Sequence, residues 1–230
     1  MKKLYIFGIG SIADEIANFA ERYALYEVVG YILDDAYIHE KEHNGKPIYP
    51  AEQLESFIDK DDVYLFIGIS WIQKMNKYKK NKYLFFQEKG FKFANLISPK
   101  ASVITSNMGD GNWINDFVYL GYNSQIGSNN VFLNSSNIEH HTSLGSHNFI
   151  GQNCSIAGST NIGDRNYFGA NATVFNKLSI GSHNIVGAGV VLKNNIRDCV
   201  LCVANNPFMK KCELEKIENY IDINRMIKQN

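Results

Sequence analysis

From Met108 to Leu192 every sixth residue is large and apolar: Met108, Ile114, Leu120, Ile126, Phe132, Ile138, Leu144, Ile150, Ile156, Ile162, Phe168, Val174, Ile180, Val186 and Leu192. A period of six matches neither the 3.6 of a helix nor the two of an amphipathic strand. It fits a hexapeptide β-helix, in which each hexad supplies one short strand and one corner of a triangular prism. Three hexads make a coil, so these fifteen make five coils, and residues 18 apart lie above one another. Successive coils stack at the strand spacing of about 4.8 Å. The residue after the apolar one is glycine in nine of the fifteen hexads. The residue four after it is mostly small or medium (Ser124, Ser136, Thr142, Cys154, Thr160, Ala172) and is expected to point inward beside it. No proline occurs between Ala101 and Asn206, as backbone ladders require.

Charge divides the 230 residues in the same way. The 23 basic and 23 acidic side chains cancel, which excludes a long-range pull on nucleic acid or an anionic membrane. Their distribution is uneven: 28 charges lie in residues 1–100, six in 101–192 and 12 in 193–230. The expected organisation is an α/β Rossmann-like domain over 1–100, a β-helix over 101–206 and a C-terminal helical cap over 207–230. The uncharged stretch suits flat faces that pack against copies of themselves. Beyond Leu192 the period fails. Val200–Val203 could close the last coil, Ala204–Pro207 reads as a turn, and Glu213–Lys228 reads as an amphipathic helix covering the open end. Four cysteines, with a single C-x-x-C at Cys199 and Cys202, point to reduced thiols and a cytoplasmic setting. No run approaches the roughly 18 apolar residues of a membrane span.

In the first hundred residues, Leu4–Phe7 reads as a strand, Gly8-Ile9-Gly10 as a tight turn, and Ile12, Ile16, Phe19 and Ala20 as the buried face of a helix. Further strands are expected at Glu27–Leu33, Val63–Ile67 and Phe91–Ile97, with helices at Pro50–Phe57 and Trp71–Glu88. Such alternation implies a small parallel sheet that takes ligands at the strands' carboxyl ends. A glycine turn opening a helix can cradle phosphate, and Asp34-Asp35 stands where a ribose-binding acid would be. About four strands make half a dinucleotide site, which suits a mononucleotide better than NAD.

Six histidines invite a search for catalysis or metal binding. His39 and His43 read as solvated loop residues. His147 and His183 share a corner position two coils apart, roughly 10 Å, with Arg165 between them, too far to bind one metal. No metal site is expected. The sharper candidate is His140 in Ile138-Glu139-His140-His141, at an outward-facing position. One coil later lies Gly158, whose backbone N–H could sit above the imidazole. A base beside an N–H donor is what acyl transfer needs: one takes the proton of the attacking group, the other holds the developing oxyanion. The alternative is a surface histidine at a subunit contact. No cysteine or serine stands beside His140 as a nucleophile, so direct attack on a thioester is expected.

Gly8-Ile9-Gly10-Ser11 after a first strand, Asp34-Asp35, Ile67-Gly68, and Ser135-Ser136-Asn137-Ile138-Glu139-His140 inside a hexapeptide solenoid resemble the bacterial sugar O/N-acyltransferase family. The resemblance extends to about Pro207. It implies a left-handed parallel β-helix, a homotrimer, a nucleotide-sugar substrate on the N-terminal domain, and acetyl-CoA as acyl donor in the groove between prisms. Carried onto this sequence, it makes His140 the general base and Gly158 the oxyanion donor. Gly10, Ser11, Ile12, Asp34, Asp35 and Gly68 become substrate contacts, and Phe149, Ala170 and Ala188 CoA contacts. Two positions depart from the family. Ile12 replaces a histidine of its G-x-S-G-H-G turn, and His141 replaces the acid after the catalytic histidine. His141 is thereby a possible modulator of His140, unless Glu139 or an amide such as Asn134 orients the ring. The resemblance implies acetyl transfer to a nucleotide-linked amino sugar in lipopolysaccharide or capsule synthesis. Its alternatives are O-acetylation of sialic acid or a related sugar, and a non-catalytic trimeric scaffold with a degenerate nucleotide pocket.

Overall fold

The computed structural model describes residues 1–61, 63–69, 76–204 and 209–211. The chain forms two compact units: residues 1–70 with 81–96, and residues 71–80 with 97–230. One boundary between the units falls at residues 96 and 97. The segment through Lys80, however, belongs to the second unit, although it precedes the prism in sequence.

The first unit holds β1 (Lys3–Phe7), α1 (Ser11–Arg22), β2 (Glu27–Leu33), β3 (Glu42–His43), β4 (Lys46–Pro50) and β5 (Val63–Ile67). The helix that follows, α2 (Lys77–Glu88), begins in the second unit and continues into the first. The sheet order is β3-β4-β2-β1-β5, with β1 parallel to both β2 and β5. Leu4, Ile6, Ile32, Leu65 and Phe66 are fully or almost fully buried, as expected of central parallel strands. The β3–β4 hairpin turns through Asn44 and Gly45, both at positive φ, and was not foreseen from the sequence. Of the expected fourth strand at Phe91–Ile97, Phe93 forms one bridge to Leu65, while Leu96–Ile97 is a strand beside Trp113–Ile114 in the eight-stranded sheet. The helix expected at Pro50–Phe57 is a single 3₁₀ turn at Leu54–Ser56, because Pro50 still belongs to β4.

Two glycines at the carboxyl end of the sheet are required by contact. A Cβ on Gly8, whose φ is +115°, would lie 2.9 Å from the Gly68 carbonyl oxygen, and a Cβ on Gly68 would lie 2.6 Å from the Ile6 side chain. The first turn and the end of β5 therefore touch backbone to backbone.

The second unit is the prism. Strands of two residues pair in parallel with strands 18 residues on, as in Ile138 to Ile156 and Ile150 to Phe168. Three faces result. The first carries Ile114, Phe132, Ile150, Phe168 and Val186 inward, the second Leu120, Ile138, Ile156, Val174 and Leu192, and the third Ile126, Leu144, Ile162 and Ile180. All of them are buried in one continuous core. The solenoid starts before Met108, since Val103 already pairs with Leu120. It also continues beyond Leu192 with two residues omitted: Ile196 bridges to Ile180, and Cys202 pairs with Val186. Met209–Lys211 then runs antiparallel to Val200–Cys202. The helix expected over Glu213–Lys228 lies outside the described residues, as does most of the 204–207 turn.

Corners repeat as regularly as faces. The third residue after each apolar one is left-handed at nearly every hexad, from Phe117 to Lys177 and His183, with φ between 54° and 62° over that range. Asparagine, which adopts this conformation more readily than most residues, fills several of these corners (Asn123, Asn129, Asn153, Asn171). Inside one corner runs a column absent from the sequence reading: Asn112, Asn130, Asn148, Asn166 and Asn184, all fully buried. Each Oδ1 accepts the backbone N–H of the ladder residue one coil on, at 2.7 to 2.9 Å. On the outside, Ser128, Ser146, Asp164, Ser182 and Asp198 accept the N–H of the residue one coil below. Two of the chain's few prism-region carboxylates are thus backbone acceptors.

The corner column Asn129, His147, Arg165 and His183 is partly buried and internally bonded. Asn129 Nδ2 donates to His147 Nδ1 at 2.9 Å, and Arg165 Nη1 donates to His183 Nε2 at 2.9 Å. Asn76 Nδ2 donates to the His147 carbonyl at 2.8 Å. Burial, reinforced by Lys79, Lys80 and Arg165, pushes the His147 pKa down to about 3, while burial alone pushes Lys79 down to about 7. His147 is therefore neutral in the fold, whereas an unfolded histidine takes up a proton below about pH 6.5. Its contribution to stability is complete above that pH and falls as pH drops toward 3, by at most about 1.4 kcal/mol per pH unit. Urea unfolding between pH 7 and 4 should show this slope, and His147→Asn, which suits the left-handed corner, should flatten it. Parallel slopes for the two proteins would contradict the burial argument.

Candidate functional site

His140 follows Ile138 at the corner between the second and third faces, and its side chain is exposed. Its backbone is fixed from above by Ser159 N–H donating to the His140 carbonyl at 2.9 Å. The imidazole lies against Gly158, one coil on: a Cβ built on Gly158 would stand 2.8 Å from both Cε1 and Nε2 of His140. Gly158 is itself buried, its carbonyl accepts the Lys177 N–H, and its own N–H has no acceptor among the described residues. The site thus pairs an imidazole nitrogen edge with an unspent backbone donor.

On the other side of the ring, His140 Nδ1 lies 2.9 Å from His141 Nδ1, and the rings cross at 83°. His141 holds the left-handed corner (φ 56°) and meets the Tyr122 ring edge-on at 5.8 Å. The two adjacent histidines converge, whereas alternation of side-chain direction would have separated them. Neither the Glu139 carboxylate nor the Asn134 amide is hydrogen-bonded to His140 among the described residues. Alanine at 158 should displace the imidazole. Its predicted effect is a fall in transfer rate of about 100-fold or more, with the unfolding midpoint little changed because the exposed ring can rotate away. Wild-type turnover in Gly158→Ala would remove the significance of this approach.

Phe149 points outward from the first face and stacks on Tyr167 at 5.1 Å. Ala170 and Ala188 lie one coil apart at the next corner, between the first and second faces, so close to the coil below that a Cβ on Gly169 would meet the Ala188 nitrogen at 2.5 Å. Within one chain these three residues and His140 occupy different edges of the prism. The three described cysteines are free, and burial raises the thiols of Cys154 to about 12 and Cys202 to about 11, so neither is a ready nucleophile.

In the first unit the expected residues gather at the carboxyl end of the sheet. Gly10 caps α1, with open space where a Cβ would be; Ser11 is exposed and Ile12 half-buried. The Asp34 carboxylate is ion-paired with Lys82. The Asp35 N–H donates to Glu52 Oε2 at 3.0 Å, and Gly68 meets Gly8 as described. His43 is not a solvated loop residue. Its Nε2 lies 2.6 Å from Asp14 Oδ1, and its ring meets the Tyr31 ring edge-on, because the β3–β4 hairpin carries it to the first turn of α1. Neither Lys82 nor the His43–Asp14 pair was singled out from the sequence. Both depend on long-range folding, with no local motif to mark them. Among the described residues no three histidine, cysteine or carboxylate groups cluster as a metal site, and no helix is long and apolar enough to cross a membrane.

Residues 3–83 match the PglD N-terminal domain, and residues 141–176 match the bacterial transferase hexapeptide (six repeats). The chain joins a PglD N-terminal domain to a hexapeptide-repeat transferase prism. The acetyltransferase domain of PglB from Neisseria gonorrhoeae, solved with acetyl coenzyme A, shares the fold. It has a TM-score of 0.78 and 21% identity, covering 91% of this chain and 99% of that one. PerB from Caulobacter crescentus, solved with CoA and GDP-perosamine, has a TM-score of 0.77 and 24% identity, over 91% and 98%. WeeI from Acinetobacter baumannii has a TM-score of 0.51 and 16% identity, over 91% and 100%. The prism is of the left-handed parallel β-helix type. No curated protein matches the sequence.

Proposed function

We propose that the protein transfers the acetyl group of acetyl-CoA to the amino group of a nucleotide-linked amino sugar, in the cytoplasmic synthesis of a surface glycan. The observation that carries this reading is the imidazole of His140 set against the Gly158 backbone. When His140 Nδ1–H donates to His141 Nδ1, the lone pair of His140 Nε2 is left for the substrate. The amine attacks the thioester carbon, and Nε2 takes the proton that the nitrogen sheds. The Gly158 N–H steadies the oxygen as negative charge builds on it. The tetrahedral intermediate then collapses, the C–S bond breaks, and the imidazolium returns its proton to the departing CoA sulfur. The products are an amide and CoA, with no acyl-enzyme.

Two further considerations support the reading. The structural neighbours PglB and PerB were solved with acetyl coenzyme A, and with CoA and GDP-perosamine. Phe149, Ala170 and Ala188, at a different edge from His140, would complete the donor site only if a second prism packed alongside, so the working form is a homotrimer.

Mass spectrometry of products from a panel of nucleotide amino sugars with acetyl-CoA tests the function. The expected product carries one acetyl group in an alkali-stable amide. An alkali-labile ester on a nucleotide-free sugar would instead support O-acetylation. Failure to bind CoA at millimolar concentration would leave the scaffold alternative.

A further inference from the structure

The carboxyl end of the N-terminal sheet is acidic. Asp14 lies in the first turn of α1, Asp34 and Asp35 follow β2, and Glu52 reaches the Asp35 N–H. A diphosphate entering there would meet repulsion unless a cation were in place. His43 and Asn44 engage Asp14, and Lys46 engages Glu21 further along α1. Among the described residues, Lys82 is the cation paired with Asp34 at the strand ends. It projects from α2 so that its ammonium stands 5.4 Å from the ring centroid of Phe7, the residue before Gly8, and 5.2 Å from that of Phe85. It ends in the ion pair with Asp34, whose side chain is 12% exposed against 15% for Lys82. Two aromatic faces and a carboxylate hold the ammonium in one place, so little ordering is left for a ligand to bring about.

We propose that Lys82 is a specificity-determining residue: it holds Asp34 in position for the ribose hydroxyls and presents positive charge to the diphosphate of a nucleoside diphosphate sugar. The proposal rests on the function argued above and adds a reason for the nucleotide requirement. A free sugar offers neither the vicinal ribose hydroxyls nor the phosphates that this pair would meet. The glycine turn contributes backbone N–H groups to phosphate, but no formal charge. Lys82 supplies that charge from another element, α2, which explains why no basic residue is needed in the turn itself.

Lys82→Met keeps the aliphatic contact with Phe7 and Phe85 and removes the charge; Lys82→Arg keeps the charge. The measurements are calorimetric Kd values for UDP, GDP and dTDP and for the corresponding nucleosides, at 50 mM and 300 mM NaCl (about 14 and 6 Å of screening length), and steady-state kinetics with the accepted sugar. Lys82→Met should weaken nucleoside diphosphate binding about 10- to 100-fold and reduce its salt dependence. The nucleotide-sugar KM should rise, while the acetyl-CoA KM and saturated kcat stay within about twofold. Lys82→Arg should recover most of the affinity. Unchanged nucleotide binding in Lys82→Met, or a lowered melting temperature with wild-type Kd, would overturn the assignment and leave the enzyme reading standing. If the wild-type protein bound none of the three nucleoside diphosphates, the nucleotide-sugar reading would fall, and this assignment with it.

Discussion

Alanine in place of His140 should lower kcat by about 10²- to 10⁴-fold, the range expected when a positioned general base is removed. The acetyl-CoA Kd and the unfolding midpoint should stay at wild-type values, because the side chain is exposed and its backbone bonds are retained. His141 gives the companion measurement. His141→Asn keeps a left-handed corner residue with an oxygen able to accept from His140 Nδ1, whereas His141→Phe keeps the ring and loses the acceptor. Roughly tenfold lower kcat in His141→Phe with near-complete recovery in His141→Asn is the expected pattern. Wild-type turnover in His140→Ala would end the general-base assignment.

The largest effect on stability is expected from Phe168→Ala, about 3 to 5 kcal/mol. Phe168 is fully buried on the first face, in register between Ile150 below and Val186 above. In a solenoid each coil is stabilised mainly by its two neighbours, so a cavity at Phe168 weakens both of its coil contacts together. Urea unfolding should show a lower midpoint and a broader transition as the coils above and below uncouple. The outward neighbour is the control. Tyr167→Ala removes only a half-buried stack on Phe149, and should cost clearly less. Equal losses would mean that the core of this face is not where the prism is held.

The prism was legible because its signal is periodic. One apolar position per hexad sets the faces, and glycine where a Cβ would strike the next coil confirms the register, as at Gly145 below Gly163. The His140–Gly158 approach followed from the same arithmetic, since stacking by 18 is a property of the repeat. The Asn112-to-Asn184 column obeys the period too, yet it was hidden because polar residues at inward positions read against the hydrophobic pattern. What could not be read were contacts made by folding at a distance: the β3–β4 hairpin that delivers His43 to Asp14, and the α2 side chain that reaches Asp34. The charge of Lys82 looked like any other in a lysine-rich helix. Its place between Phe7 and Asp34 exists only once the sheet has formed.

The internal asparagine column runs out where the stack of parallel strands ends. Each asparagine receives from the coil above through its Oδ1 while its own N–H is taken by the one below, so every completed coil carries a template for the next. At the sixth rung stands Val200, whose N–H is received by Asn184 but whose side chain has no oxygen to pass on. An added coil would find no acceptor in the core at that corner. At that end the antiparallel Met209–Lys211 segment occupies the edge of Val200–Cys202, and a covered edge discourages end-to-end growth into fibres.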